Sequence, residues 1–368
     1  MENEKMFFYL SKINECETIS QKIEIANSLI IHSSFLETGN MLSQFANKKI
    51  VNKNGLELFL AYKCGKGDLS DLFVDADCDV SLIPMIVYCN LLNIEPNEKC
   101  ITFQTKCNSQ KYKYEIIRTM FSPFRGDTMT SIQYCLKKHI ALLWKELNEH
   151  PKLLEDEVYK NFYALFNGLS NRGLLFSDIG NWDDVFYKYS TLIWEVLDDE
   201  IKIFLSKSAW SIGNFIPMPI YINPSRNDVS GTIDTADTLL WNIYIYYQLK
   251  GNETAQKEHV QRILNGKYKN EAIENYIRWL DFFKTWDNFV EQNCLQDFVQ
   301  NFGHKKYGCP YSLKTNKIIN CPINEKYIPM ATSYNESRNF FKTLNEKILK
   351  RNQRISSKVK KILYERIK

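Results

Sequence analysis

Apolar positions recur along most of this chain at intervals of three and four, the spacing of one helix face. Ile19–Phe35 reads as a helix. The short apolar runs Leu56–Tyr62 and Leu82–Cys89 follow, the second either a buried strand or a short helix. Strict alternation is confined to one stretch: Tyr112, Tyr114 and Ile116 alternate with Lys and Glu, so Ile101–Gln104 and Tyr112–Ile117 suggest a hairpin. Met129, Ile132, Leu136, Ile140, Leu143 and Leu147 predict a long helix that His150–Pro151 ends. Further helices are predicted at Val158–Leu169, Phe186–Leu205, Thr235–Leu249, Ala255–Leu264 and Glu271–Phe298. Within the last of these, Trp279, Phe283, Trp286 and Phe289 have the spacing of core packing.

The helical period breaks between Ser211 and Gly231, where Pro217, Pro219 and Pro224 force an extended path. It breaks again in a loop holding Gly308, Pro310 and Pro322. A final helix is expected over about Asn335–Arg366. Phe341, Leu344, Ile348, Ile355, Val359 and Ile362 form its apolar stripe, and Lys350, Arg351, Arg354, Lys358 and Lys361 form a basic face left in solvent. The pattern therefore predicts a mainly α fold with a smaller α+β N-terminal part. Residues 1–122 form the mixed region, and residues 123–368 a helical domain ending in the basic amphipathic helix.

Charge sharpens this picture. The chain carries 47 basic and 43 acidic side chains, a net +4. From Lys342 to Lys368 ten basic residues face two acidic ones, so this stretch holds +8 and the rest sums to −4. A nucleic-acid partner would have to be held through residues 342–368. The longest apolar stretch falls far short of the roughly 18 residues of a membrane span. The acidic start, Met1 to Lys5, lacks a basic leader, and the ten cysteines include no CxxC pair. Free thiols in a reducing cytoplasm, no bound metal, no cofactor and no membrane are the expectation.

Chemistry-bearing residues gather in few places. Asp127 is placed to cap the helix that follows it, and that helix start, with Arg125 and Thr128, has the donors to hold an anion. Asn214, Asn223 and Arg226 stand on the proline-stiffened segment, where a polar pocket would present side chains. Asp75 and Asp77, two apart with apolar Val74, Ala76 and Cys78 interleaved, would share one side of a strand and could hold Mg²⁺ for phosphoryl or nucleotidyl transfer. Val80 occupies the place where an EF-hand loop needs Gly. His304, Cys309 and Cys321 lie close in sequence but match no zinc-site spacing. No GxSxG, HExxH, GxGxxG or Walker-type loop is present.

Three of these segments, DTMTS (Asp127–Ser131), SIGNFIPMP with NPSR (Ser211–Arg226) and NCLQDFV (Asn293–Val299), resemble a family of uncharacterised bacterial cytoplasmic proteins. That family carries a DTMNS-like, a GNF-proline-Asn-Arg and an N-x-LQDFV segment in this order. The resemblance spans about residues 120–300 and implies no activity. Thr130 stands where the family has Asn, and DTADTLL (Asp234–Leu240) replaces an aromatic-rich DYWDL-like run. The first expectation is a cytoplasmic bacterial binding or interaction protein, in a genome-defence setting, with a polar pocket of Arg125, Asp127, Thr128, Asn214, Asn223 and Arg226. A metal-dependent transferase using Asp75 and Asp77, and nucleic-acid binding through the C-terminal helix, are the alternatives.

Overall fold

The computed structural model describes residues 8–9, 12, 15–34, 36–38, 53–63, 82–94, 102–106, 111–115, 124–170, 182–209, 211–219, 235–264, 270–323, 325, 327, 329 and 331–367. The fold is mainly α. The first helices are α1 (Ile19–His32), α2 (Lys53–Lys63) and α3 (Leu82–Leu91), so the apolar run that read as strand or helix is helical. Thr18 starts α1 with a reciprocal cap: its hydroxyl accepts from Gln21 N at 3.3 Å while Gln21 Oε1 accepts from Thr18 N at 3.2 Å. The expected hairpin is present as β1 (Thr102–Lys106) against β2 (Lys111–Glu115), antiparallel with Gln104 opposite Lys113.

Residues 124–128, expected to lead into the helix with Asp127 as its cap, form strand β3 (Phe124–Thr128). The helix α4 begins later, at Ile132, with Ser131 in the cap position. The reason is a long-range partner: β4 (Phe215–Pro219) pairs antiparallel with β3, setting Asp127 opposite Ile216 and Thr128 opposite Phe215. Pro217 and Pro219 bring no N–H to this ladder, which a two-stranded sheet tolerates because each strand keeps an open edge.

After α4 (Ile132–Glu149) come α5 (Glu157–Ser170), α6 (Trp182–Lys188), α7 (Ser190–Val196) and α8 (Asp199–Ile203), which runs into a π turn at Phe204–Ser208. The single helix expected over Phe186–Leu205 is thus divided. Then follow α9 (Ala236–Gln248), α10 (Glu253–Ile263), α11 (Asn270–Phe283) and α12 (Trp286–Gln292). The helix expected over Glu271–Phe298 is also divided. Lys284 takes a left-handed φ of 66°, and the hydroxyl of Thr285 accepts from Asn288 N at 3.1 Å to start α12. Strands β5 (Val299–Asn301) and β6 (Tyr307–Pro310) make a hairpin where a loop was expected. The chain closes with α13 (Tyr334–Ile367).

At 34 residues α13 is about 50 Å long and acts as the axle of the molecule. Its first half, with Phe341, Leu344 and Ile348, enters the main core, alongside Leu136, Ile140, Phe204, Phe289 and Leu295. Trp279, Phe283 and Trp286 are buried in the same core, as their spacing requires. Its second half, with Ile355, Val359 and Leu363, packs with Ile23, Ala26 and Ile30 of α1 and with Ile86, Val87 and Leu91 of α3. Both halves thus bury an apolar face that would be unstable in water alone. Among the described residues no helix is long and apolar enough to cross a membrane.

Candidate functional site

The face of α13 assigned to solvent is corrected at its centre: Arg351 is fully buried. The apolar stripe skips from Ile348 to Ile355, and Arg351 and Asn352 fill that gap on the inward side. The guanidinium gathers four distant segments. Its Nε donates to Asn293 O at 3.0 Å, and Nη1 donates to Gly213 O at 2.8 Å and Phe215 O at 2.9 Å. The Sδ of Met129 lies 3.6 Å from Nη1, and Nη2 donates to the Tyr88 hydroxyl at 2.7 Å. The Tyr88 hydroxyl in turn donates to Phe215 O in a short hydrogen bond. Burial pushes the Tyr88 hydroxyl up to about 12 against the opposing pull of Arg351, so the phenol stays protonated and donates. Among the described residues no carboxylate pairs with Arg351, and neutral dipoles carry its charge.

The next residue completes the joint. Asn352 Oδ1 accepts from Gly213 N at 2.5 Å. A Cβ on Gly213 would stand 2.3 Å from Ile348 O and 2.5 Å from that same Oδ1, so only glycine lets α13 approach this closely. Segments 127–131, 211–219 and 293–299 therefore do meet, around one arginine that the resemblance does not contain.

Asn214 is buried here with both amide hydrogens donated. Nδ2 donates to Ala209 O at 2.9 Å and Thr130 O at 3.2 Å, and Oδ1 accepts from Thr130 N at 3.1 Å. Both amide hydrogens and one acceptor position are thus used inside the fold, and the side chain serves as a tie between the β3 and β4 segments. Thr128 is buried opposite Phe215, and the backbones of Arg125 and Asp127 lie in the same ladder. Thr130 Oγ1 accepts from Ala236 N at 3.0 Å, which starts α9. Asn223, Arg226, Asp75 and Asp77 lie outside the described residues.

Two further polar groups are buried, Asp237 of the DTADTLL run and His139, of which the sequence reading missed only the second. Asp237, in the first turn of α9, is buried and accepts from Thr235 Oγ1, Thr238 N, Leu313 N and the Tyr327 hydroxyl at 2.6–3.0 Å. Burial raises its carboxyl above the usual range in spite of these donors. On the other side of the core, buried His139 lies between Ser337 Oγ, 3.0 Å from Nδ1, and Asp198 Oδ2, 3.4 Å from Nε2. This has the order of a nucleophile, a base and an orienting acid. Ser337 is only 4% exposed, and Arg338 draws on Asp198 at 3.4 Å. The arrangement ties α4 and the start of α8 to the first turn of α13.

Metal-ligand chemistry among the described residues is limited to Glu146, Glu149 and His150 at the surface end of α4. The six described cysteines are free, and Cys309 donates to Ile319 O at 3.2 Å.

One surface stands apart. From Phe298 to Asn324 the chain contains no Asp or Glu but four Lys and a His. The β5–β6 tip presents Phe302, 61% exposed, followed by exposed His304, Lys305 and Lys306. The tip is held at its base: Trp286 Nε1 donates to Gly308 O at 2.9 Å, Tyr307 N to Asp287 Oδ1 at 2.8 Å, and the Tyr307 hydroxyl to Glu291 at 2.5 Å. Lys305 and Lys358 both act on the Glu291 carboxylate, so the tip adjoins the middle of α13. Most α13 cations are internally engaged. Arg354 pairs with Asp297 at 2.5 Å, Lys358 donates to Glu291 O at 3.0 Å, and Lys360 pairs with Glu37 at 2.8 Å. Lys342, Lys350 and Lys361 are exposed. The signal for this surface was the turn sequence Gly303-His304 between two short apolar runs, together with the missing acids. No family model, no curated protein and no solved structure matches this chain.

Proposed function

We propose that this protein is a binding protein that engages a polyanionic partner at the β5–β6 tip and the adjoining turns of α13. The observation that carries the reading is the acid-free stretch whose exposed end sets Phe302, His304, Lys305 and Lys306 side by side on an anchored hairpin. Cations in a row without interleaved carboxylates suit a phosphate backbone. The hairpin supplies exposed cations at Lys305 and Lys306, whereas Arg354 and Lys360 of α13 are paired with Asp297 and Glu37. The Asn214 cluster, with its amide buried and bonded three times within the fold, supports a role in holding the scaffold. A bacterial cytoplasmic setting belongs to the same proposal: it fits the free thiols and the three-segment resemblance.

Binding of the full chain to heparin and to nucleic acid across a salt series tests this. Affinity should fall steeply as salt rises, because each neutralised phosphate releases counterions. Replacing Lys305 and Lys306 together by Glu should abolish it. Salt-independent binding, or none, refutes the reading.

A further inference from the structure

We infer that the β5–β6 tip is a stacking site for unpaired bases, so that the polyanion is single-stranded nucleic acid; this inference rests on the polyanion reading above. Phe302 is not a side chain standing loosely in water. A Cβ built on Gly308 would lie 2.8 and 2.9 Å from two atoms of the Phe302 ring, and 2.7 Å from Gln300 Oε1. The ring therefore lies down against the bare backbone of β6, in space that only glycine leaves, with Gln300 beside it. One part of the ring is fixed against the strand, and 61% of the residue stays open to solvent.

The backbone next to the ring is shaped to bring charge to it. Gly303, His304 and Lys305 all take left-handed φ values, 80°, 50° and 57°. The turn is closed by Phe302 N donating to Lys306 O and Lys306 N donating to Gly303 O, each at 3.0 Å. Asn301 Oδ1 accepts from Gly303 N at 2.9 Å. Two consecutive non-glycine residues in this conformation are uncommon, and the effect is to turn the chain within four residues so that three donors follow the aromatic directly.

A fixed aromatic face beside cations is what single strands use: bases stack on the ring whatever their sequence, and the cations follow the phosphates. A duplex keeps its base faces stacked internally and can use only the charges. An anionic membrane would call for apolar groups that project several ångströms into the interface, whereas this ring lies on the strand.

Fluorescence anisotropy of the full chain with oligo(dT), oligo(U) and a hairpin duplex of equal length tests the inference, with sedimentation on phosphatidylserine vesicles as a third arm. The single strands should bind more tightly than the duplex. Phe302→Ala should weaken single-strand binding on the order of 10-fold and leave duplex binding unchanged, and Phe302→Trp should retain it. Gly308→Val, which displaces the ring without changing charge, should act like Phe302→Ala in protein whose urea midpoint shows it to be folded. Replacing Lys305 and Lys306 by Ala should weaken both nucleic acids and lower the salt slope. If the lysine pair lowers both while Phe302→Ala changes neither, the polyanion reading stands and stacking is refuted. Binding to vesicles alone, or to nothing, overturns both.

Discussion

The backbone N–H of Gly213 and the side-chain oxygen of Asn352 are 2.5 Å apart, joining a short loop to a helix 139 residues further along. A methyl group at Gly213 would collide with that oxygen and with Ile348 O, which is backbone and cannot rotate away. Gly213→Ala should therefore cost about 3 kcal/mol, near the upper end for overpacking, because it also breaks the hydrogen bond. Gly168 is an internal control: it lies in α5, and a Cβ there meets nothing within 4 Å. Gly168→Ala should stabilise by up to about 1 kcal/mol. Urea denaturation of the two variants checks both signs at once.

Arg351 should be among the most costly side chains to truncate. Arg351→Ala leaves Asn293 O and Gly213 O without their donor in a sealed interior, and takes one of two donors from Phe215 O and the one that serves the Tyr88 hydroxyl. A loss of about 3–5 kcal/mol is expected, as for other broken buried charge networks. Arg351→Lys should recover only part of it, because an ammonium cannot span four acceptors with the geometry of the fork. Tyr88→Phe combined with Arg351→Ala should cost less than the sum of the two, with a coupling of about 1 kcal/mol or more in a double-mutant cycle.

Much of this joint was legible and its centre was not. The spacing of Phe341, Leu344, Ile348, Ile355 and Val359 gives the buried stripe of α13 directly, although at its end Leu363 and not the expected Ile362 is the buried residue, and the seven-residue skip marks where something else is packed. Arg351 was placed in solvent because a basic residue in a basic segment is ordinarily solvated. Only the carbonyls of two remote segments and the Tyr88 hydroxyl, invisible to local spacing, make its burial tolerable. Asp127 was misplaced for the same reason. Its local sequence is a good cap, and the pairing with Ile216 that overrides it is 89 residues away. The breaks at Tyr189 and Thr285 left no mark because apolar spacing continues on both sides of each.

His259 gives a pH dependence with a definite sign. It is buried, donates from Nε2 to Asn242 O at 2.8 Å, and has Arg262 nearby. Burial, aided by Arg262, holds its folded value down at about 4, against 6.5 for the free side chain. Between those values the unfolded chain binds the proton and the fold does not. Its stabilising contribution is thus fully present above pH 6.5 and is lost as pH falls towards 4, by about 3 kcal/mol in all. Asp237 works in the opposite sense: its raised carboxyl favours the fold below the ordinary Asp range, and that contribution declines as pH rises through it. Stability measured from pH 7 down to 4 should fall in the wild type. In His259→Gln, which keeps an amide donor for Asn242 O, that fall should be much shallower.

Removing residues 342–368 separates a structural helix from a detachable basic arm. The deletion takes away Leu344, Ile348, Ile355, Val359 and Leu363, all buried, and with them Arg351 and Asn352. It uncovers the main core and the α1–α3 cluster together, because α13 contributes to both. It also strips the partners of Asp297, Glu37 and Asn90, since Arg354, Lys360 and Arg366 leave with the helix. Burying five aliphatic side chains stabilises by about 1.5–3 kcal/mol each, in total comparable to the whole marginal stability of an ordinary domain. The truncated chain should therefore lose cooperative thermal unfolding and bind hydrophobic dyes or aggregate. Circular dichroism and calorimetry are the measurements. A truncation that still melts cooperatively near the wild-type temperature would show that α13 is an appendage, and would return its cations to the surface as a separate binding arm.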